Sequence, residues 1–216
     1  MKKIILGLSI ATVSLFASDC ILKDGGVGIK VGTLGLGLEY AAKVNDKLDV
    51  RLGVSKYTNS STGNESDIKY DIDLNLQTIA AIADYHVFGN GFVLSAGLIY
   101  NGNNLDFDAQ LASGDHDIGD NTYSADEIGS LKGEVTFNKI APYIGMGYSN
   151  VTRSAGWGFS TELGALYQGE AKVDLSTTGT LATLLADVEN EEKELESDLG
   201  DAKWYPVISL AVSYKF

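Results

Sequence analysis

Apolar side chains alternate with small or polar ones along much of the chain, most clearly at residues 204–216, which end on Phe216. The alternation recurs over residues 48–57, 68–76, 92–100, 135–148 and 157–175. Successive side chains of a strand point to opposite faces, so a period of two predicts strands with one apolar and one polar face. Strands in soluble proteins usually run for about 5–6 residues. The much longer run at 157–175 favours strands that cross a membrane.

The connections between these stretches differ in length. Short ones lie at residues 43–47, 86–91 and 150–156, and long polar ones at 59–67, 105–130 and 176–203. Bacterial outer-membrane barrels have short periplasmic turns and longer outer loops, so we assign the short connections to the periplasmic end. Slips of the alternation near residues 100–105 and 139–142 are interpreted as β-bulges.

The first hairpin follows from counting strands back from a periplasmic C-terminus. Residues 34–42 become a descending strand, which requires an ascending strand within residues 21–31 and a turn near Gly32 and Thr33. The sequence therefore predicts an all-β fold, a transmembrane up-and-down antiparallel β-barrel of eight strands. In the alternative interpretation residues 25–40 form one long strand, which leaves seven.

A helical periodicity occupies the last long connection. Apolar side chains recur at i, i+3 and i+4 spacing at Leu181, Leu184, Leu185, Val188, Leu195 and Leu199. This spacing predicts an amphipathic helix at about residues 179–200 with a strongly acidic opposite face. Three roles are open for it: to cap the barrel mouth, to lie on the outer leaflet through bridging divalent cations, or to dock a partner.

Aromatic residues cluster at both ends of the predicted strands. The short-turn end holds Tyr40, Tyr85, Phe88, Phe92, Tyr148, Trp157, Phe159, Tyr214 and Phe216. The long-loop end holds Tyr57, Tyr70, Tyr100, Phe107, Phe137, Tyr167, Trp204 and Tyr205. Two aromatic girdles indicate two membrane interfaces. The alternative is the aromatic core of a soluble β-sandwich.

The N-terminus has the pattern of an export signal. Two lysines precede an apolar segment at residues 4–16, and small residues follow it. This predicts a signal peptide at residues 1–17 and a barrel domain at residues 18–216. Cys20 is the only cysteine, so an internal disulfide is excluded.

The composition agrees with a barrel wall. The 216 residues are 44% hydrophobic, and the mean hydropathy of +0.02 is that of an ordinary soluble protein. A membrane barrel can have such a value, because only every second residue of a barrel strand has to face lipid. The net charge is −13. Nucleic-acid-binding proteins carry a basic surface, so this balance argues against nucleic acid as a partner.

Four blocks resemble a group of proteobacterial outer-membrane β-barrel proteins with no established activity: GTLGLGLEY (32–40), APYIGMGY (141–148), WGFSTELGALYQG (157–169) and YPVISLAVSYKF (205–216). More loosely, the chain is similar to the OmpA- and OmpW-type small barrels. Its terminal SYKF resembles the signal that the outer-membrane insertion machinery recognises. The resemblance implies location in the cell outer membrane. It also implies that membrane lipids, lipopolysaccharide and this machinery are partners.

The polar faces of the predicted strands hold charges that would point into the lumen. We predict a lumen charge network of Glu39, Asp49, Arg51, Lys69, Asp71, Asp73, Glu162, Glu170 and Lys172, with Lys30 and Asp174 beside it. The interior of an eight-stranded barrel is just wide enough for side chains to fill it. Buried charges need partners, so we expect these groups to pair and plug the lumen. The alternative is a narrow channel lined by the acidic excess.

No motif indicates catalysis, a cofactor or a metal site. Residues 115–120 (DHDIGD) resemble a calcium-binding loop only superficially, because Gly119 comes one place early and Asp126 stands where a bidentate Glu is required. One Asp-His pair in a loop does not make an active site, and we assign His86 to the membrane interface. The predicted function is that of a monomeric, non-enzymatic outer-membrane barrel with a structural or surface-interaction role. The alternative is a porin-like channel for small cations or small solutes.

Overall fold

The computed structural model describes residues 25–65, 68–119 and 121–216, so the predicted signal peptide lies outside the described residues. The strands are β1 Gly25–Gly32, β2 Gly35–Asn45, β3 Leu48–Glu65, β4 Ile68–Tyr85, β5 Phe92–Asn101, β6 Asn104–Leu111, β7 Asp115–Ile118, β8 Asn121–Ser124, β9 Ser130–Thr136, β10 Ile140–Ser149, β11 Gly156–Tyr167, β12 Lys172–Thr177 and β13 Trp204–Lys215. The helices are α1 Ala125–Ile128 and α2 Ala182–Asp198, and a 3-10 turn at Leu199–Lys203 follows α2. Of the helices described, none has both the length and the apolarity needed to cross a membrane.

Eight strands close into an antiparallel ring in the order β1-β2-β3-β4-β5-β10-β11-β13, and β13 pairs with β1. This confirms the predicted eight-stranded barrel. The first hairpin turns through two residues between Gly32 and Gly35, which pair with each other. Gly35 has φ +99°, a conformation that favours glycine. The alternative of one long strand at residues 25–40 is therefore wrong.

The outer surface of the ring is apolar and its inner surface is buried. Outward side chains such as Ile29, Leu98 and Ile144 are largely exposed, while their strand neighbours point into the lumen. Trp157 and Tyr214 make an edge contact at the short-turn end, and Tyr167 and Trp204 pack together at the other. Three of the predicted girdle residues lie elsewhere: Phe107 and Phe137 pack on the apolar side of the sheet described next, and Tyr205 packs against the apolar core of the lumen.

A second sheet extends from the barrel at the long-connection end. β3 and β4 pair without interruption from Leu48–Tyr85 to Glu65–Ile68. The half of β4 near the barrel pairs with β5, and its outer half pairs with β6. β9 and β12 follow β6. The predicted loops at 59–67 and 105–130 are thus wrong in large part, because they contain strands of this five-stranded sheet, called here the extension.

The barrel and the extension meet at three breaks in the strands. These lie at residues 102–103, 137–139 and 168–171. Backbone hydrogen bonds join them side by side, from Asn101 N to Lys139 O and from Asn138 N to Gln168 O. Two of the breaks fall where the alternation slips, so these slips mark the rim of the barrel rather than bulges within one strand.

The polarity of the two faces inverts at this rim. In β4, Ile82 faces the lumen, and the same face continues outward to Ile72, which lies opposite Phe107 of β6. The other face carries Ile79 on the barrel exterior and Asp73 in the extension. The lumen side of the wall thus becomes the apolar side of the extension, and the lipid side becomes its polar side.

Helix α2 covers the apolar side of the extension, which confirms the amphipathic helix in the last long connection. Leu184 and Val188 are buried against the β7–β8 hairpin and α1, while Leu195 and Leu199 pack against β9 and β12. Leu181 and Leu185, which the spacing placed on the same stripe, are exposed.

The helix also caps the free edge of β12. The backbone N–H groups of Val173 and Leu175 donate to Glu196 Oε1 at 3.1 Å and to Glu192 Oε1 at 2.6 Å. Four helical residues rise about 6 Å and two strand residues about 6.6 Å, so the carboxylates match the spacing of the N–H groups. An edge that would otherwise present unpaired donors is thereby closed.

The contact between α2 and the β7–β8 hairpin should weaken in acid. Tyr123 Oη and Asn121 Nδ2 donate to Asp187 Oδ2 at 2.6 and 2.8 Å, and these bonds lower the pKa of Asp187 below its ordinary 3.8. Because the pKa of Asp187 is lower in the folded protein, its ionised carboxylate stabilises the contact above pH 3.8. This stabilisation is lost as the pH falls through the lower, folded-state pKa. Methyl NMR of Val188 should report this loss, and Asp187→Asn should abolish the pH dependence. An unchanged transition in Asp187→Asn would contradict the assignment.

Candidate functional site

Arg51 of β3 lies at the centre of a buried charge cluster in the barrel lumen. Its Nη2 donates to Glu162 Oε1 at 2.8 Å and to Asp84 Oδ1 at 3.1 Å, and its Nε donates to the other Asp84 oxygen. Its Nη1 lies 3.4 Å from Glu39 Oε2, and Lys30 Nζ is 3.8 Å from that oxygen. One guanidinium therefore binds carboxylates from three other strands, which its planar fork of donors allows.

Hydroxyl groups occupy further positions around these carboxylates. Tyr143 Oη and Ser209 Oγ donate to the two oxygens of Glu162 at 2.7 and 3.0 Å, and Ser95 Oγ donates to Asp84 at 2.6 Å. A buried charge is tolerated when it is both paired and hydrogen-bonded. The cluster meets that condition.

Two glycines make room for the Tyr143 ring inside the lumen. A Cβ atom added at Gly145 or at Gly164 would clash with the Tyr143 hydroxyl. The ring crosses a barrel whose interior is only as wide as its side chains. These glycines therefore serve packing.

Apolar side chains lie beside the Arg51 cluster inside the barrel. Toward the extension lies an apolar layer of Leu34, Ala80, Ile82, Ile99, Ala141, Tyr143, Leu166 and Val207. The cavity beside Arg51 and Glu162 measures about 10 Å³, room for about one water molecule. No solute larger than water fits in this cavity.

The short-turn end holds a separate buried cluster. His86 Nε2 lies 2.8 Å from Asp49 Oδ2, and Nδ1 lies 2.8 Å from the carbonyl oxygen of Asn90. These two contacts fix the orientation of the imidazole ring. Thr152 Oγ1 donates to the same Asp49 oxygen rather than to the imidazole, so these residues form no nucleophile–base pair. His86 is buried, and its assignment to the membrane interface is wrong.

The structure places only some of the predicted lumen residues in the lumen. Glu39, Asp49, Arg51 and Glu162 are buried there, and so is Lys30. The assignment is wrong for Lys69, Asp71, Asp73, Glu170 and Lys172, and also for Asp174, all of which lie in or beside the extension. Their strands pass beyond the barrel, where the polar face of the sheet is the outer one.

The sequence interpretation missed Asp84 and Tyr143. Alanines occupy both faces of β4 just before Asp84, which hides the alternation there. The strand parity could have identified Asp84, because it shares a face with Ile82 and Ala80. Tyr143 stands among residues that suit a lipid interface, and only the closed ring shows that it points inward.

The outer side of the extension carries an acidic face of Asp71, Asp73, Asp106, Asp108, Glu134 and Asp174, which line a groove of about 440 Å³. One row of this face, Asp73–Asp106–Glu134–Asp174, runs directly across four strands. Carboxylates that face each other across strands destabilise a sheet. Asn104 Nδ2 partly offsets this by donating to Asp106 and Glu134. Salt bridges from Lys69 to Asp71 and from Lys132 to Asp108 neutralise two of the six carboxylates.

No metal-binding cluster of three or more His, Cys, Asp or Glu side chains occurs among the described residues. His116, from the Asp-His pair of the sequence, lies in β7 and its Nε2 is 3.0 Å from the Ala112 carbonyl oxygen. That contact ties the hairpin to the preceding loop.

Two solved structures are similar to this chain. CarO2 of Acinetobacter baumannii is 26% identical, with 89% of this chain and 98% of that chain covered and a TM-score of 0.59. CarO of the same organism is 25% identical, with 88% and 97% covered and a TM-score of 0.57. No protein-family model and no curated protein sequence matches the chain. These neighbours are outer-membrane β-barrel proteins of a Gram-negative bacterium, and the present chain is located in the outer membrane.

Proposed function

We propose that this protein is a closed, non-enzymatic barrel that holds the extension above the outer membrane for interactions at the cell surface. Bacterial barrels keep their short turns in the periplasm. By that rule the short-turn end is periplasmic and the extension faces outward. The charge cluster around Arg51, with a cavity of only about 10 Å³ beside it, is the single observation that carries the proposal.

Two features support an interaction role over transport. The charge cluster and the apolar layer beside it bring side chains from most of the ring strands together inside the barrel. Outside the barrel, by contrast, five strands and a helix form an ordered body with its own apolar core. Loops that merely join membrane strands need no such core.

The expected partners follow from the location in the outer membrane. Outer-membrane lipids and lipopolysaccharide would contact the apolar wall, and the insertion machinery would recognise the terminal strand. We propose a monomer, since a closed ring leaves no unpaired strand edge in the membrane. Kinship with the OmpA- and OmpW-type small barrels stays a prediction.

Planar-bilayer recordings of the refolded protein test the closed lumen. We expect no discrete single-channel steps from the wild type under conditions in which a general porin conducts. Glu162→Ala removes a lumen carboxylate, and Glu134→Ala removes one from the outer face of the extension as a matched control. Wild-type steps that change in Glu162→Ala but not in Glu134→Ala would overturn the proposal and favour the channel alternative.

A further inference from the structure

The outer half of β3 presents a free strand edge. β2 pairs with β3 only as far as Leu36–Lys56, whereas β4 pairs with β3 to its end. Residues 57–63 are exposed on both faces, and among the described residues no strand pairs with their other side.

The register shows which backbone groups lie at this edge. His86 N donates to Lys47 O, so the odd-numbered residues of β3 bond to β4. Hydrogen-bonding directions alternate along a strand, and the β3–β4 register has no shift. Thr58, Ser60 and Thr62 therefore point their N–H and C=O groups away from β4.

This edge lacks the features that usually protect an edge strand. Residues 57–63 (YTNSSTG) contain no charged residue and no proline, and their pairing has no bulge. The opposite edge of the same extension, β12, is capped by Glu192 and Glu196. One edge of the sheet is closed by the fold and the other is left open.

We propose that the β3 edge binds an extended basic peptide segment of a partner by strand addition, which makes the extension a six-stranded sheet. Backbone hydrogen bonds to an exposed sheet edge are an established mode of peptide recognition. This inference rests on the proposed surface-interaction function and specifies the site and the chemistry of the partner.

Charge on the neighbouring strand favours a basic segment, because the two carboxylates of Asp71 and Asp73 outnumber Lys69, the one cation on the same face of that strand. Thr62 shares the outer face of the sheet with Asp71, to which its hydroxyl donates at 2.7 Å, and Ser60 lies opposite Asp73. An added strand would lie two strand spacings, about 9.6 Å, from β4. Its long Lys or Arg side chains would cross the small Ser60 and Thr62 to reach these carboxylates. Acidic side chains in the same positions would be repelled.

A second copy of this chain does not fit the edge by antiparallel pairing. Antiparallel pairing of two β3 edges requires a two-fold axis perpendicular to the strands. Such an axis would point the second barrel in the opposite direction across the membrane. Copies in one membrane share one orientation, so we assign the edge to a separate segment.

The test uses the full-length protein in nanodiscs and a labelled peptide of alternating Thr and Lys, with binding followed by fluorescence anisotropy. Ser60→Pro removes an edge N–H that pairs with no strand among the described residues, and Ser60→Ala keeps that N–H as the matched control. We expect binding about tenfold weaker in Ser60→Pro, a loss equivalent to about 1.4 kcal/mol, and unchanged binding in Ser60→Ala. Asp71→Asn with Asp73→Asn should weaken binding and reduce its dependence on salt.

Two comparisons separate strand addition from simple attraction to the acidic face. A Thr/Lys peptide with methylated backbone nitrogens should bind much more weakly, and a Thr/Glu peptide should not bind. Equal binding of the Thr/Lys peptide to Ser60→Pro and wild type, or no binding to either, would overturn the inference. The bilayer recordings decide the closed barrel independently, so a failure of the edge and a failure of the proposed function are distinguishable.

Discussion

Arg51→Ala is expected to lower the free energy of unfolding by about 3–5 kcal/mol, the usual cost of removing one partner of a buried ion pair. Arg51 contacts three buried carboxylates, on Glu39, Asp84 and Glu162. Lys30 contacts only the first of these. Without the guanidinium the other two lose the cation that contacts them inside the barrel.

Urea titration of the refolded protein, followed by tryptophan fluorescence, measures this change. Arg153→Ala is the matched control, because Arg153 is exposed on the short turn between β10 and β11, outside the buried cluster. It should change stability by less than about 0.5 kcal/mol. Arg51→Lys should recover only part of the loss, since an ammonium cannot reproduce the fork of donors. Equal stability of Arg51→Ala and Arg153→Ala would show that the cluster does not stabilise the barrel.

Leu184→Ala is expected to weaken the docking of α2 on the extension by about 2–5 kcal/mol. Leu184 is completely buried among Ile118, Tyr123, Ile128 and Val188. Removing its side chain leaves a cavity where α2 meets the β7–β8 hairpin and α1, and Val188 is the other buried residue of the helix. Undocking would also withdraw the carboxylates that cap the β12 edge, so the sheet would loosen there as well.

Trypsin cleavage after Lys193 measures the undocking, because Lys193 lies on α2 and its side chain is exposed. When cleavage follows the population of the open form, about 2 kcal/mol corresponds to a rate about 30-fold higher. Leu185→Ala is the matched control, since that leucine is the next residue and is 49% exposed. Similar cleavage rates in the two variants would mean that the Leu184 contact does not hold the helix.

Much of the barrel was predictable from local pattern. The period of two in β11 and β13 and the short turns imply long antiparallel strands, because side-chain direction in a strand depends only on parity. Local spacing also predicted the helix, although the side chains buried on it include Leu184 and Val188 but not Leu181 or Leu185. Arg51 and Glu162 were found in the lumen by the same parity. The partners of Arg51 could not be paired in advance, since Glu162 is 111 residues away and only ring closure sets its register.

Alternation along the chain, together with the lengths of the connections, predicted an eight-stranded wall with one apolar and one polar face. Whether a face contacts lipid, the lumen or water depended on the folded structure. The parity of a residue does not show how far its strand extends beyond the membrane. In β4 the face of Ile79 contacts lipid, and a few residues farther the same face carries Asp73 and Asp71. The helix that covers the opposite face comes from a distant part of the chain. The acidic face and the open β3 edge form only when β3, β4, β6, β9 and β12 pair into the extension.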